Sequence, residues 1–194
     1  LLLIASPFIG GKLTAVTPTG VVLLLYMSFL SAAAFSLWTL LLKFNDAGKV
    51  MVFAVDTVDR ETWSDKGGDP YHRIRRYEQW IQFLVKEMAP FIQDTVMAAN
   101  AWSSCPGIIP FGCSLGATHA ANLFFRFPDL FDSLLALSGI YTAEYGFGNY
   151  MDELVYNNSP VHYLANMPAH HPYVEKYNRN NGVICVGQGP WEIP

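Results

Sequence analysis

The sequence predicts an α/β fold: a mostly parallel sheet with helices on both faces. Three observations carry that expectation. Short apolar runs that do not alternate with polar residues recur along the chain, as buried parallel strands do. Stretches with apolar residues at three- and four-residue steps separate them, as crossover helices do. A glycine-rich turn, Gly112-Cys113-Ser114-Leu115-Gly116, stands between one such run and one such stretch.

The length of 194 residues suits one domain, residues 1–194, with a well-buried core, and is short for two ordinary ones. Hydrophobic residues make up 52% and charged residues only 14%, which excludes a disordered tail protein, a coiled coil and a collagen-like fibre. A net charge of −4 leaves no electrostatic footprint for nucleic acid. Cys105, Cys113 and Cys185 have no C-x-x-C spacing and cannot all pair, so neither a disulfide-stapled module nor a structural zinc site is expected. No cofactor is expected either.

Taken in order, Leu1–Ala5 reads as a buried strand leading into a turn at Ser6-Pro7 and Gly10-Gly11. Residues 20–43 form a hydrophobic segment, and Val21–Leu42 carries no charge. Its length admits a transmembrane helix. A secretory signal is a second reading, with Ala32-Ala33-Ala34 as a small-residue cleavage site. The preferred reading is a helix buried in the core of a cytoplasmic protein, because the fold that follows needs a helix there. The alternatives imply a membrane-anchored or exported protein.

Asn45–Lys49 is a turn, Val50–Val55 a strand and Asp56–Tyr71 a loop containing Gly67-Gly68. Tyr77, Trp80, Ile81, Leu84, Met88, Phe91 and Ile92 form the stripe of an amphipathic helix, which Pro90 should kink or restart. Gly107–Phe111 is a second strand-like run, and Ala117–Phe125 is a helix stopped at Phe127-Pro128. Ser133–Ser138 is a strand ending at Gly139, and Tyr141 to Tyr177 is aromatic, Asn/Pro-rich and irregular. Val183–Val186 is the last strand, closed by Gly187. The chain begins at Leu1 and stops at Pro194 just after this run, and reads as incomplete at both ends.

The turn at 112–116 fits G-x-S-x-G in the strand–turn–helix context that gives the pattern its meaning. A serine on so tight a turn adopts a strained backbone, and a β-carbon at either glycine would meet the neighbouring chain. The bend lifts the Ser114 hydroxyl clear of the sheet, and the helix opening at Leu115 aims its free N–H groups at any oxyanion formed there.

With Val55–Trp63, Phe127–Phe131, Ala136–Gly139 and Val186–Gly189, this turn makes the stretch from about Asn45 to Trp191 resemble the putative-esterase branch of the α/β-hydrolases, which is similar to esterase D, S-formylglutathione hydrolases, feruloyl esterases and mycolyltransferases. The resemblance implies an α/β-hydrolase-type fold of eight strands and serine-dependent acyl transfer, usually to water, on a small-molecule ester. It makes Ser114 the nucleophile and the Leu115 N–H one oxyanion donor. Gly10 and Gly11, after the first strand, hold a place comparable to that of the second donor. Glu192 is the candidate acid after the last strand. The family's histidine follows one further strand, and the chain as given offers no residue there, so the domain reads as cut before its last strand and helix. A non-catalytic α/β-hydrolase-like domain is therefore the alternative.

Among the histidines present, His119 stands five residues past Ser114, about one and a half helical turns on, so its ring should point away and pack. His162, His170 and His171 lie in the irregular segment, where a substitute base is conceivable; the other is His72. Pro110 departs from the pattern by standing in the strand that feeds the turn. Asp56, Asp59 and Glu61 resemble a metal or acid–base cluster, but the preferred reading is an ion-pair network with Arg60, Arg73, Arg75 and Arg76. Tyr141, Tyr145, Phe147, Tyr150, Tyr156 and Tyr163 either line an acyl pocket or pack the irregular segment.

Overall fold

A computed structural model describes Pro18 and residues 51–101 and 104–187 of the chain. The expected strand Leu1–Ala5, the segment Val21–Leu42, the oxyanion candidates Gly10 and Gly11 and the acid candidate Glu192 lie outside those residues. Among the described residues no helix is long and apolar enough to cross a membrane.

Helix α1 (Pro70–Phe83) opens where Asp69 accepts a hydrogen bond from the Tyr71 N–H at 3.3 Å and Pro70 takes the first helical position. The expected loop is thus shorter than Asp56–Tyr71, because an Asp-Pro start already commits the chain to a helix. Ile74, Tyr77, Trp80 and Ile81 turn one buried face to the core. Ahead of Pro90 the helix widens to a π turn at Leu84–Met88, and α2 (Ala89–Asn100) restarts with the Ala89 N–H donating to the Leu84 carbonyl. The wider turn accommodates a ring that would strike the carbonyl four residues back in a regular α-helix. Helix α2 ends at Ala101, whose φ is 52°.

Strand β1 (Phe111–Cys113) is followed by α3 (Leu115–Arg126), β2 (Ser133–Leu137) and β3 (Asn181–Cys185). The three strands are parallel in the order β1-β2-β3, with Phe111 level with Leu135 and Val183, and Cys113 level with Leu137 and Cys185. The run from Gly107 pairs only from Phe111 on. Pro110 therefore precedes the strand, and its carbonyl accepts the Leu135 N–H at 3.2 Å, so its missing N–H removes no ladder bond. Met51–Val55 pairs with no strand among the described residues, which corrects the expected strand there. Val55 and Val58 instead pack against the core.

The segment from Tyr141 to Tyr177 is not irregular. It holds α4 (Glu144–Phe147), α5 (Glu153–Asn157), α6 (Pro160–Ala165) and α7 (Pro172–Arg179). Each is too short for a readable apolar period, but the start signals were present. Asp152 accepts from the Val155 N–H at 2.8 Å, Pro160 and Pro172 stand in first turns, and His171 accepts from the Tyr173 N–H at 3.1 Å. Its aromatic residues divide: Phe147 is in the core, Tyr150 and Tyr141 pack against it, and Tyr145 is exposed.

Helix α3 is buried on every side from Ala117 to Phe124. Ala117, Ala120, Ala121 and Phe124 pack on Leu134 and Ala136 of β2, the alanines letting helix and sheet approach closely. Leu115 and Leu123 face a second cluster built on Trp63, Ile74, Tyr77, Ile81 and Phe147.

Candidate active site

Between β1 and α3 stands Ser114, with φ 54° and ψ −125°. Few L-residues adopt such a backbone, which costs about 1–3 kcal/mol. Bonds on both sides hold it there. The Ser114 N–H donates to the Leu137 carbonyl at 2.9 Å, and the Ser114 carbonyl accepts from the Ala117 and Thr118 N–H groups at 3.0 and 3.3 Å. The residue is exposed. The first N–H groups of a helix have no acceptor within it. Those of Leu115 and Gly116 stand beside the serine.

The two glycines of the turn are not equivalent. A β-carbon on Gly112 would meet the Gly116 carbonyl carbon and oxygen at 2.4 Å, so only glycine fits there. A β-carbon on Gly116 would meet nothing within 4 Å among the described residues. Among the described residues the crowding falls on the strand side, where helix backbone crosses directly over residue 112.

The neighbouring strand leaves the sheet in a similar way. Ser138, with φ 52°, donates its N–H to the Cys185 carbonyl at 2.7 Å. Thr118 then clamps the loop after β2 to α3, its hydroxyl donating to the Ile140 carbonyl at 2.7 Å and accepting the Ile140 N–H at 3.0 Å. Ser114 and the 138–141 loop thus share the carboxyl end of the parallel sheet, where ligands of open α/β sheets bind. Two grooves of about 400 and 310 Å³ lie elsewhere, lined by residues of α1 and α5 and by residues around Phe125 and Tyr163 respectively, and neither lining includes Ser114.

Among the described residues the Ser114 hydroxyl makes no hydrogen bond, and none of the five histidines is bonded to it. His162 Nδ1 is 2.6 Å from Ser159 Oγ, and its Nε2 is 3.7 Å from Glu144. His171 caps α7, His72 is exposed beside Asp69, and His170 is exposed. His119 is buried as expected, but it is also hydrogen-bonded at both ring nitrogens, to Tyr77 and to Asp59.

The expected ion-pair network is correspondingly smaller. Arg76 pairs with Glu61 at 2.8 Å and Arg75 with Asp152 at 3.6 Å, while Asp59 belongs to His119. Arg73 is buried and meets carbonyls instead, those of Thr62 at 2.5 and 2.7 Å and of Gly146 at 2.8 Å. Desolvation lowers its pKa.

Comparison with known proteins adds an independent finding. The family model described as Putative esterase matches residues 29–192, a span containing α1–α7 and β1–β3. No curated protein and no solved structure matches the chain. With that match over most of its length, and a parallel sheet flanked by helices, the chain belongs to the Putative esterase family of the α/β-hydrolase superfamily, a family of ester hydrolases.

Proposed function

We propose that the protein cleaves a small carboxylic ester or thioester through an acyl-enzyme on Ser114. The observation that carries this reading is the exposed serine held at φ 54° directly before a helix start. Ser114 Oγ adds to the acyl carbon, and negative charge develops on the carbonyl oxygen. The Leu115 N–H is aimed to receive it. The bond to the alcohol or thiol then breaks, and the leaving group departs with the proton the serine gave up. Water adds to the acyl-serine, releases the carboxylic acid and returns the proton to Oγ. Glu192 is the acid of the site in this reading.

A non-catalytic role is the second reading. It is favoured by the absence, among the described residues, of any hydrogen bond from the Ser114 hydroxyl to a base, since an unassisted serine is a poor nucleophile.

One experiment separates the two. Hydrolysis of p-nitrophenyl acetate by this chain, with labelling of Ser114 by a fluorophosphonate, is the outcome expected of the enzyme. Ser114→Ala should then lower kcat/KM by about 10⁴-fold or more and abolish labelling. A folded chain that neither hydrolyses the ester nor takes up the probe establishes the non-catalytic reading.

A further inference from the structure

His119 is an ionisable residue with no place in the chemistry above, yet it is among the most tightly held side chains of the protein. It projects from the second turn of α3, and its side chain is only 4% exposed. Nε2 lies 2.8 Å from Asp59 Oδ1, and Nδ1 lies 2.8 Å from the Tyr77 hydroxyl. The rings of Trp63, Tyr77 and Trp80 surround it at centroid distances of 6.1, 5.2 and 5.3 Å. Burial alone would raise the Asp59 pKa, but the hydrogen bonds from His119 and the Thr57 hydroxyl lower it below the usual carboxylate value. Burial pushes the Tyr77 hydroxyl upward, so it keeps its proton. In the neutral ring Nε2–H donates to the Asp59 carboxylate and the Tyr77 O–H donates to Nδ1.

This chain of bonds joins three parts of the fold that sequence separates: the segment before Trp63, helix α1 and the helix that follows Ser114. The same segment is anchored twice more. Trp80 Nε1 donates to the Asp56 carbonyl at 3.0 Å, and the Arg73 guanidinium grips the Thr62 carbonyl. Thr118 ties α3 to the loop after β2 and Arg126 ties its last turn to Glu78, and His119 adds a bond on the face toward α1. His119 supplies a directional stop one and a half turns from the serine. A small roll of α3 would swing the Leu115 N–H away from where charge develops, and misplacements of about 1 Å can cost 10²-fold in rate.

We propose that Asp59, His119 and Tyr77 are positioning residues that set the rotation of α3 and thereby aim its first N–H groups beside Ser114. The proposal rests on the acyl-enzyme reading, and its test keeps the two apart. Asp59→Asn, Tyr77→Phe, His119→Leu and His119→Gln are compared with the wild type and with Arg76→Ala, a surface control, by the rate of fluorophosphonate labelling and by kcat and KM for p-nitrophenyl acetate. All are measured at a temperature where each variant retains its native near-ultraviolet circular dichroism.

The expected result is a fall in labelling rate and kcat of roughly ten- to a hundredfold in Tyr77→Phe and His119→Leu, with KM little changed. His119→Gln should recover much of the loss, since its amide can donate to Asp59 and accept from Tyr77. Arg76→Ala should match the wild type. Labelling at the wild-type rate in variants that merely melt earlier overturns the proposal while leaving the acyl-enzyme intact. Equal losses in His119→Gln and His119→Leu overturn it too. A wild type that is folded yet unlabelled overturns the acyl-enzyme reading and this proposal with it.

Discussion

Ser114 stores backbone strain, and the bonds around it show what holds that strain in place. Its N–H is tied to β2 and its carbonyl to the first turn of α3, so relaxing the bend would break contacts on both sides. Ser114→Gly should therefore stabilise the protein by about 1 kcal/mol, because glycine adopts φ 54° without a β-carbon penalty. Urea unfolding of the two proteins checks this; an unchanged or lower midpoint would mean that the bend is not strained. The glycines of the same turn should behave oppositely. Gly112→Ala meets backbone at 2.4 Å, which cannot give way like a flexible side chain, and should cost several kcal/mol or prevent folding. Gly116→Ala meets nothing within 4 Å among the described residues and, standing in a helix, should be neutral or stabilising by up to about 1 kcal/mol. Similar losses in both variants would contradict this geometry.

Helices α1, α2 and α3 are specified to different degrees by their own residues. Helix α1 carries a cap, a proline at its start and a well-formed apolar stripe. Asp69→Ala should remove the hydrogen bond to Tyr71 and destabilise by about 1 kcal/mol, measurable as a shift in the denaturation midpoint at constant slope. Helix α2 depends on its neighbour: Pro90 forces the widened turn, which then fixes the phase in which Phe91 and Val96 are presented. Helix α3 has no side-chain cap and is buried from Ala117 to Phe124. Its stability comes from packing against β2 and the cluster around Trp63, so Trp63→Ala should cost about 3–5 kcal/mol.

At the scale of the whole molecule, α1, α3 and the residue closing α5 meet at a half-buried ion pair. Arg126 bonds both oxygens of Glu78 at 3.0 and 2.9 Å, and Asn158 Oδ1 accepts from the same guanidinium at 2.6 Å. Burial would raise the Glu78 pKa, but hydrogen bonding and charge from Arg126, with Gln82 and Asn158, lower it. A carboxyl whose folded pKa lies below its unfolded one stabilises the fold above the unfolded pKa, and that contribution is lost as pH falls through the folded pKa. Glu78 and Asp59 share this sign. Stability should therefore decline on acidification below about pH 4.3. Glu78→Gln should lower stability at pH 7 while flattening the acid limb. Denaturant midpoints from pH 3 to 7 test this, and an acid limb unchanged in the variant would assign the decline to other groups.

Much of this protein is legible in its residue order because it rests on local rules. The glycine turn, the stop at Phe127-Pro128, the apolar strands after it and the proline in the long helix each act within a few residues, and each emerges where those residues stand. The short helices between Gly139 and Asn181 escaped the apolar period because four to eight residues make too few turns to repeat.

What only the tertiary structure decided are the partnerships of distant groups: Asp59 with a histidine 60 residues away, Arg73 with the carbonyl of Gly146, and Gly112 with the helix backbone that crosses it. Local order sets which conformations a segment prefers. Which charge finds which partner, and which backbone is crowded, depends on directions in space that no single segment carries.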